Sequence, residues 1–185
     1  LNLSGSGTIS SAGELRVGGS DQNGAQYDAY GAFNMTGGNA YLSALTIARG
    51  NNNQNSNAGE VNLSGGTIIC TNDLLIGFAG TGKGTLRISG TGTLHVGTTV
   101  TKWLRFGQWD TTSGEITISG GNLNLNQGTS IKINQNNSSG PKTFNQDGGS
   151  VTFYADFATT IGGAGDLDLM LTGTATATNT YNLNG

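Results

Sequence analysis

Cysteine, proline and histidine each occur once in the 185-residue chain, and charged side chains make up only 10% of it. The lone Cys70 excludes an internal disulfide and a cysteine-based zinc site. The lone His95 excludes the histidine clusters that most transition-metal sites need. Disordered chains are usually rich in proline, lysine and glutamate, so their scarcity argues for a fold. No run of about 20 apolar residues occurs, so no transmembrane helix is expected. The net charge of −3 makes nucleic acid a poor general partner and fits a neutral or weakly charged ligand better. Glycine, by contrast, is abundant, with 33 residues. It follows no three-residue period, which excludes collagen, and together with threonine and asparagine it interrupts every stretch long enough for a helical bundle.

What the chain does contain is a repeat. The pattern is apolar, any residue, apolar, then Ser, Thr or Asp, then Gly. It reads Leu1-Asn2-Leu3-Ser4-Gly5, Phe33-Asn34-Met35-Thr36-Gly37, Val61-Asn62-Leu63-Ser64-Gly65, Leu86-Arg87-Ile88-Ser89-Gly90 and Ile116-Thr117-Ile118-Ser119-Gly120. Two looser copies end at Gly148 and Gly173. The marker glycines are 25 to 32 residues apart, a spacing that signals a solenoid.

Each unit holds two further alternating pieces. One series is Ala40-Tyr41-Leu42, Ile68-Ile69-Cys70, Leu94-His95-Val96, Leu123-Asn124-Leu125 and Val151-Thr152-Phe153. The other is Leu15-Arg16-Val17, Leu45-Thr46-Ile47, Leu74-Leu75-Ile76, Leu104-Arg105-Phe106 and Ile131-Lys132-Ile133. Alternation with period two places one side chain inward and the next outward. Three short strands per turn, joined at glycine corners, predict an all-β, right-handed parallel β-helix of about seven turns. Leu3, Met35, Leu63, Ile88 and Ile118 then form one inward column. The chain reads as a single domain over residues 1–185. With no initiator Met or signal peptide, it reads as a module of a larger secreted protein.

The segments that vary in length follow the third strand of each unit, at 18–30, 49–58, 77–83, 107–113 and 134–140. Insertions in solenoids often gather on a binding side. Phe33, Phe106, Phe144, Phe153 and Phe157 fall on inward positions. Tyr27, Tyr30, Phe78, Trp103 and Trp109 fall elsewhere, and both tryptophans belong to one unit. An indole offers an apolar face on which the C–H face of a sugar ring packs, while neighbouring polar groups orient its hydroxyls. Trp109 and Trp103 are therefore the expected stacking platforms. Arg105, Gln108 and Asp110 are the expected hydrogen-bonding groups, with Tyr27 and Tyr30 from a neighbouring loop. Structural covering of the corner is the competing role for Trp109.

Other chemistry is weaker. Glu60 and Glu115 occupy equivalent positions two turns apart, about 9.6 Å at 4.8 Å per turn, near the upper end of inverting-glycosidase geometry. Solvated corners of a β-helix carry such residues routinely, and no catalytic residue is expected. Asp166 and Asp168, or Asp21 and Asn23, could offer oxygen ligands to a structural calcium ion, but neither set has a known calcium-loop spacing. No cofactor is expected. A flat ice-binding array of small hydroxyls is broken by Arg87.

The units Val61–Ile68 and Ile116–Leu123 resemble autotransporter-associated β-strand repeats of secreted bacterial proteins. In its aromatic loops on one edge, the chain is also similar to β-helical carbohydrate-binding modules attached to bacterial plant-polysaccharide hydrolases, xylan binders in particular. That resemblance implies an extracellular, non-catalytic module that binds xylan or a related β-linked glycan and is covalently linked to a catalytic domain. The repeat resemblance alone implies a structural adhesin segment. A trimmed polysaccharide lyase or hydrolase is the third possibility, since those enzymes share the architecture.

Overall fold

A computed structural model describes residues 1–19, 29–50, 57–98, 102–107, 111–126, 129–133, 140–153 and 179–183. Among these residues there is no helix. Twelve strands, β1 (Asn2–Leu3), β2 (Thr8–Gly19), β3 (Tyr30–Arg49), β4 (Ala58–Cys70), β5 (Leu74–Ala79), β6 (Lys83–Ile88), β7 (Thr93–Val96), β8 (Trp103–Phe106), β9 (Ser113–Leu125), β10 (Ser130–Ile133), β11 (Lys142–Phe153) and β12 (Asn179–Leu183), form one sheet. Every pairing is parallel, with like positions of successive units side by side. The fold is therefore a parallel β-solenoid.

Among the described residues the solenoid runs for about four turns. Along one column Gly31 pairs with Gly59, Gly59 with Gly84, Gly84 with Gly114 and Gly114 with Lys142. The seven turns expected from the repeat are thus not seen in full. β1 and β12 extend the first ladder at its two ends, but residues 154–178 lie outside the described part of the chain.

Nor are there always three separate strands per turn. β3 runs through all three faces as one element of 20 residues. Its neighbours follow it round the corners with only local register shifts, at Thr36, near Ser11/Glu14 and between Ile47 and Arg49. Glycine makes this continuity possible. At the first corner Gly66 has a φ of 81°, and a Cβ there would lie 2.5 Å from the carbonyl oxygen of Gly38 one turn away. Only a residue without a side chain lets the corners stack at ladder spacing.

The inward columns are as the alternation predicts. Met35 pairs with Leu63, Leu63 with Ile88 and Ile88 with Ile118, and all four are buried. Leu45, Leu74 and Leu104 stack likewise on the third face. Phe33, Phe106 and Phe144 are in the core, the last two with ring centroids 6.3 Å apart at an interplanar angle of 52°. Phe157 lies outside the described residues. Cys70 is fully buried, and burial pushes its thiol up to about 12, so it stays protonated and unreactive.

Outward columns are tied turn to turn. The Asn34 amide donates to Asn2 and the Asn62 amide to Asn34, each at 2.9 Å. The next residue in register is Arg87, then Thr117. Asn57, expected to be part of a solvated loop, is instead a buried clamp. Its side-chain oxygen accepts from the Ala29 amide at 2.8 Å, and its side-chain nitrogen donates to the Arg49 carbonyl at 2.7 Å.

Candidate functional site

The third face carries a group of aromatic and charged side chains in mutual contact. Its geometry follows from β8. In the sequence Trp103-Leu104-Arg105-Phe106, Leu104 and Phe106 are fully buried, so Trp103 and Arg105 turn outward together. The Arg105 guanidinium carbon lies 4.1 Å from the centre of the Trp103 ring, a cation–π contact. Part of the indole face expected to receive a sugar is thus taken by a neighbouring cation.

Asp73, just before β5, completes the group. Leu74 pairs with Leu104, which sets Asp73 beside Trp103 one turn away. Its Oδ1 accepts the Trp103 backbone amide at 3.1 Å, and its Oδ2 lies 3.5 Å from Arg105 Nη2. One carboxylate therefore fixes both the strand start and the cation. Arg105 keeps only 12% of its side chain exposed, and its buried Nε has no hydrogen-bond acceptor. Burial pulls its pKa down from the usual arginine value, and the charge of Asp73 works against that shift.

A second group lies on the same face toward the N-terminal end. Glu14 accepts from Arg16 Nε at 2.6 Å, from Arg49 Nη1 at 2.7 Å and from the Thr46 hydroxyl. Burial alone would raise the Glu14 pKa, but the hydrogen bonds from Thr46 and Arg16 and the charge of Arg49 outweigh it and hold the carboxyl below its usual value. Arg49 also lies 4.8 Å from the centre of the Phe78 ring. Phe78 is not on a loop: β5 continues to Ala79, so the phenyl ring belongs to the face itself.

Of the residues expected from sequence, the fold brings Trp103 and Arg105 together. Tyr30 is 73% exposed, but it is the first residue of β3 rather than part of a loop, and it pairs with Ala58. It lines an open cleft of about 380 Å³ at the N-terminal end with Leu1, Arg16 and Phe33, away from Trp103. Tyr27, Gln108, Trp109 and Asp110 lie outside the described residues, as do Asp21, Asn23, Asp166 and Asp168. Asp73 was missed. Aligning Asp73-Leu74 with Trp103-Leu104 would have found it, because equivalent positions become neighbours.

Comparison with protein families, with curated proteins and with solved structures gives no match. The chemistry of the chain is therefore read from its own side chains.

The carboxylates weighed for hydrolysis are engaged elsewhere. Glu60 and Glu115 share a column through Thr85. Glu60 pairs with Arg87, and Lys83 Nζ lies 2.9 Å from Glu115. The hydrogen bond from Lys83 is the main cause that lowers the Glu115 pKa, although burial opposes it. A general acid needs the opposite shift. His95 sits in the outward column of Tyr41, Ile69 and Asn124. Burial lowers its pKa, with the Asn126 amide acting in the other direction, so the ring is neutral at pH 7. Among the described residues no group of three His, Cys, Asp or Glu is placed to hold a metal ion, and no helix is long and apolar enough to cross a membrane.

Proposed function

We propose that this chain is a non-catalytic carbohydrate-binding module. In this reading it binds a plant cell-wall polysaccharide, xylan or a related β-linked glycan, and holds a covalently attached bacterial glycoside hydrolase on its extracellular substrate. The right-handed sense and the full seven turns belong to the same reading and rest on the repeat and on the general handedness of parallel crossovers. The observation that carries it is the Trp103–Arg105–Asp73 group, an indole edge beside charged hydrogen-bonding groups on one outward face. An apolar surface flanked by fixed polar groups suits a sugar ring, which has both kinds of surface. Trp109 belongs to the same unit and is the proposed second platform, with Gln108 and Asp110 beside it.

Affinity gels with xylan, glucans, mannan and pectin test the reading. Trp103→Ala is expected to weaken binding about tenfold, or ~1.4 kcal/mol, with an unchanged circular dichroism spectrum. Unchanged affinity in the Trp103→Ala/Trp109→Ala variant would place binding on another face. Incubation with soluble xylan or pectin is expected to release neither reducing ends nor unsaturated products. Release that disappears in Glu115→Gln would make the protein an enzyme.

A structural adhesin segment is the second reading. It is favoured by the outward ladders, since Asn2–Asn34–Asn62 and the Glu60–Arg87 and Lys83–Glu115 pairs spend polar groups on neighbouring turns. Failure to bind any glycan would bring it forward.

A further inference from the structure

We infer that the second face is a binding site of its own for a neutral β-linked glycan, separate from the Trp103 group; this rests on the glycan-binding reading above. The face consists of residues 8–11, 39–42, 67–70, 93–96, 122–125 and 150–153, held side by side in register. Two outward columns run along it. One is Thr8, Asn39, Thr67, Thr93, Asn122 and Ser150, all hydroxyl or amide side chains. The other runs from Ser10 to Thr152 and holds Tyr41, Ile69 and His95. Neither column contains Asp, Glu, Lys or Arg, and the His95 ring is neutral at pH 7. The first and third faces, by contrast, both carry ion pairs. The second face therefore offers an ionic ligand no counter-charge.

Tyr41 locates the site. It is 46% exposed in the middle of a strand, with Ser10 and Ile69 in register on either side. The polar column beside it is divided. The Asn122 amide donates to the Thr93 hydroxyl at 3.3 Å and the Ser150 hydroxyl donates to Asn122 Oδ1 at 2.7 Å, so the C-terminal part is closed on itself. Among the described residues, the side chains of Thr8, Asn39 and Thr67 make no hydrogen bond. Their donors and acceptors stand outward next to an exposed ring, which supplies the polar and apolar surfaces that a neutral sugar needs. Each ladder step, about 4.8 Å, is comparable with one residue of an extended β-linked chain, so successive sugars meet successive rows. A protein partner fits less well. The face is about 24 Å long and two outward residues, about 10 Å, wide, on the order of 250 Å². A stable protein interface takes roughly 800 Å² from each partner and is built around an apolar centre. Among the described residues of this face, Tyr41 alone is a large exposed hydrophobic.

Titration calorimetry with xylohexaose, a neutral oligosaccharide, counts the sites. The wild-type chain is expected to bind two molecules, and the second-face affinity is expected to be equal in about 0.02 M and about 0.5 M NaCl. Tyr41→Ala is expected to weaken that site about tenfold and leave the Trp103 site as it was. Tyr41→Phe keeps the ring and is expected to retain both sites. Tyr41 points outward, so its truncation opens no cavity, and circular dichroism checks the fold of each variant. Asn39→Ala removes a polar contact without touching the ring and serves if Tyr41→Ala does not fold; it is expected to weaken the same site severalfold. In the Trp103→Ala/Trp109→Ala background the remaining site is expected to be lost when Tyr41→Ala is added. A single site that neither Tyr41→Ala nor Asn39→Ala affects would overturn this inference and leave the glycan-binding reading intact. A single site that Tyr41→Ala removes and the tryptophan variant keeps would uphold the second face and overturn the Trp103 site instead. Binding of neither xylohexaose nor neutral glucan or mannan oligosaccharides would overturn both.

Discussion

Ile88→Asp is expected to abolish folding. Ile88 is fully buried between Leu63 and Ile118, one turn to either side. A carboxylate there would have only apolar neighbours in its column, and the loss of the isoleucine side chain would leave a cavity. The two effects together cost several kcal/mol, comparable with the whole stability of a domain. The defect would also spread, because each turn is the template for the next. The measurement is urea unfolding followed by circular dichroism. Deleting residues between 51 and 56 while keeping the Asn57 clamp is the matched control, expected to cost little because loop closure depends weakly on length. A cooperative transition in Ile88→Asp close to that of wild type would show that the inward register is wrong.

Lys142→Met is expected to do the reverse and stabilise the protein, most strongly below neutral pH. Lys142 continues the column of Gly31, Gly59, Gly84 and Gly114. At Gly59 a Cβ would lie 2.1 Å from the Val17 carbonyl oxygen, so a side chain has no room there. At Lys142 the long side chain is accommodated and is 1% exposed, with its ammonium donating to the Gly140 carbonyl. Burial pulls its pKa from 10.5 down to about 7. Between those two values the unfolded chain holds a proton that the folded chain lacks, so wild-type stability rises as pH increases across that window. Below about pH 7 both states are charged and the penalty is complete, at most about 5 kcal/mol for a shift of this size. Methionine carries no charge but also loses the bond to Gly140, so the expected gain is about 2 kcal/mol at pH 6, fading toward pH 10. Chemical denaturation of both proteins at these pH values measures it. A stability difference independent of pH would refute a buried, titrating Lys142.

The two predictions also show how far reading the sequence reaches. Ile88 could be assigned to an inward column from the sequence because a solenoid makes spatial neighbours of residues one repeat apart, and a residue with period-two alternation has only two sides to choose between. The register of Lys142 is equally legible, since aligning the copy that ends at Gly148 with Ile116–Gly120 places it opposite Gly114. Its burial is not, because nothing in Pro141-Lys142-Thr143 shows that a long cationic side chain is taken inside at a position that is glycine in the preceding turns. Asn57 was read as part of a polar loop because composition cannot distinguish a solvated asparagine from one whose amide bridges two turns.

The candidate site divides along the same line. The sequence determined that Trp103 and Arg105 point outward, since buried Leu104 and Phe106 leave them no other choice. It determined the solenoid, its glycine corners, the inward columns and the inert state of Cys70, because each follows from local alternation and a constant repeat. Only the tertiary structure decided that Arg105 lies against the indole and that Asp73 reaches both, that Glu14 serves two arginines, and that Phe78 belongs to the face rather than to a loop. These contacts join side chains from different turns, and a shift of one residue at a corner would change which of them meet. Alternation fixes the side of the sheet a residue occupies; ladder register across the corners fixes its neighbours.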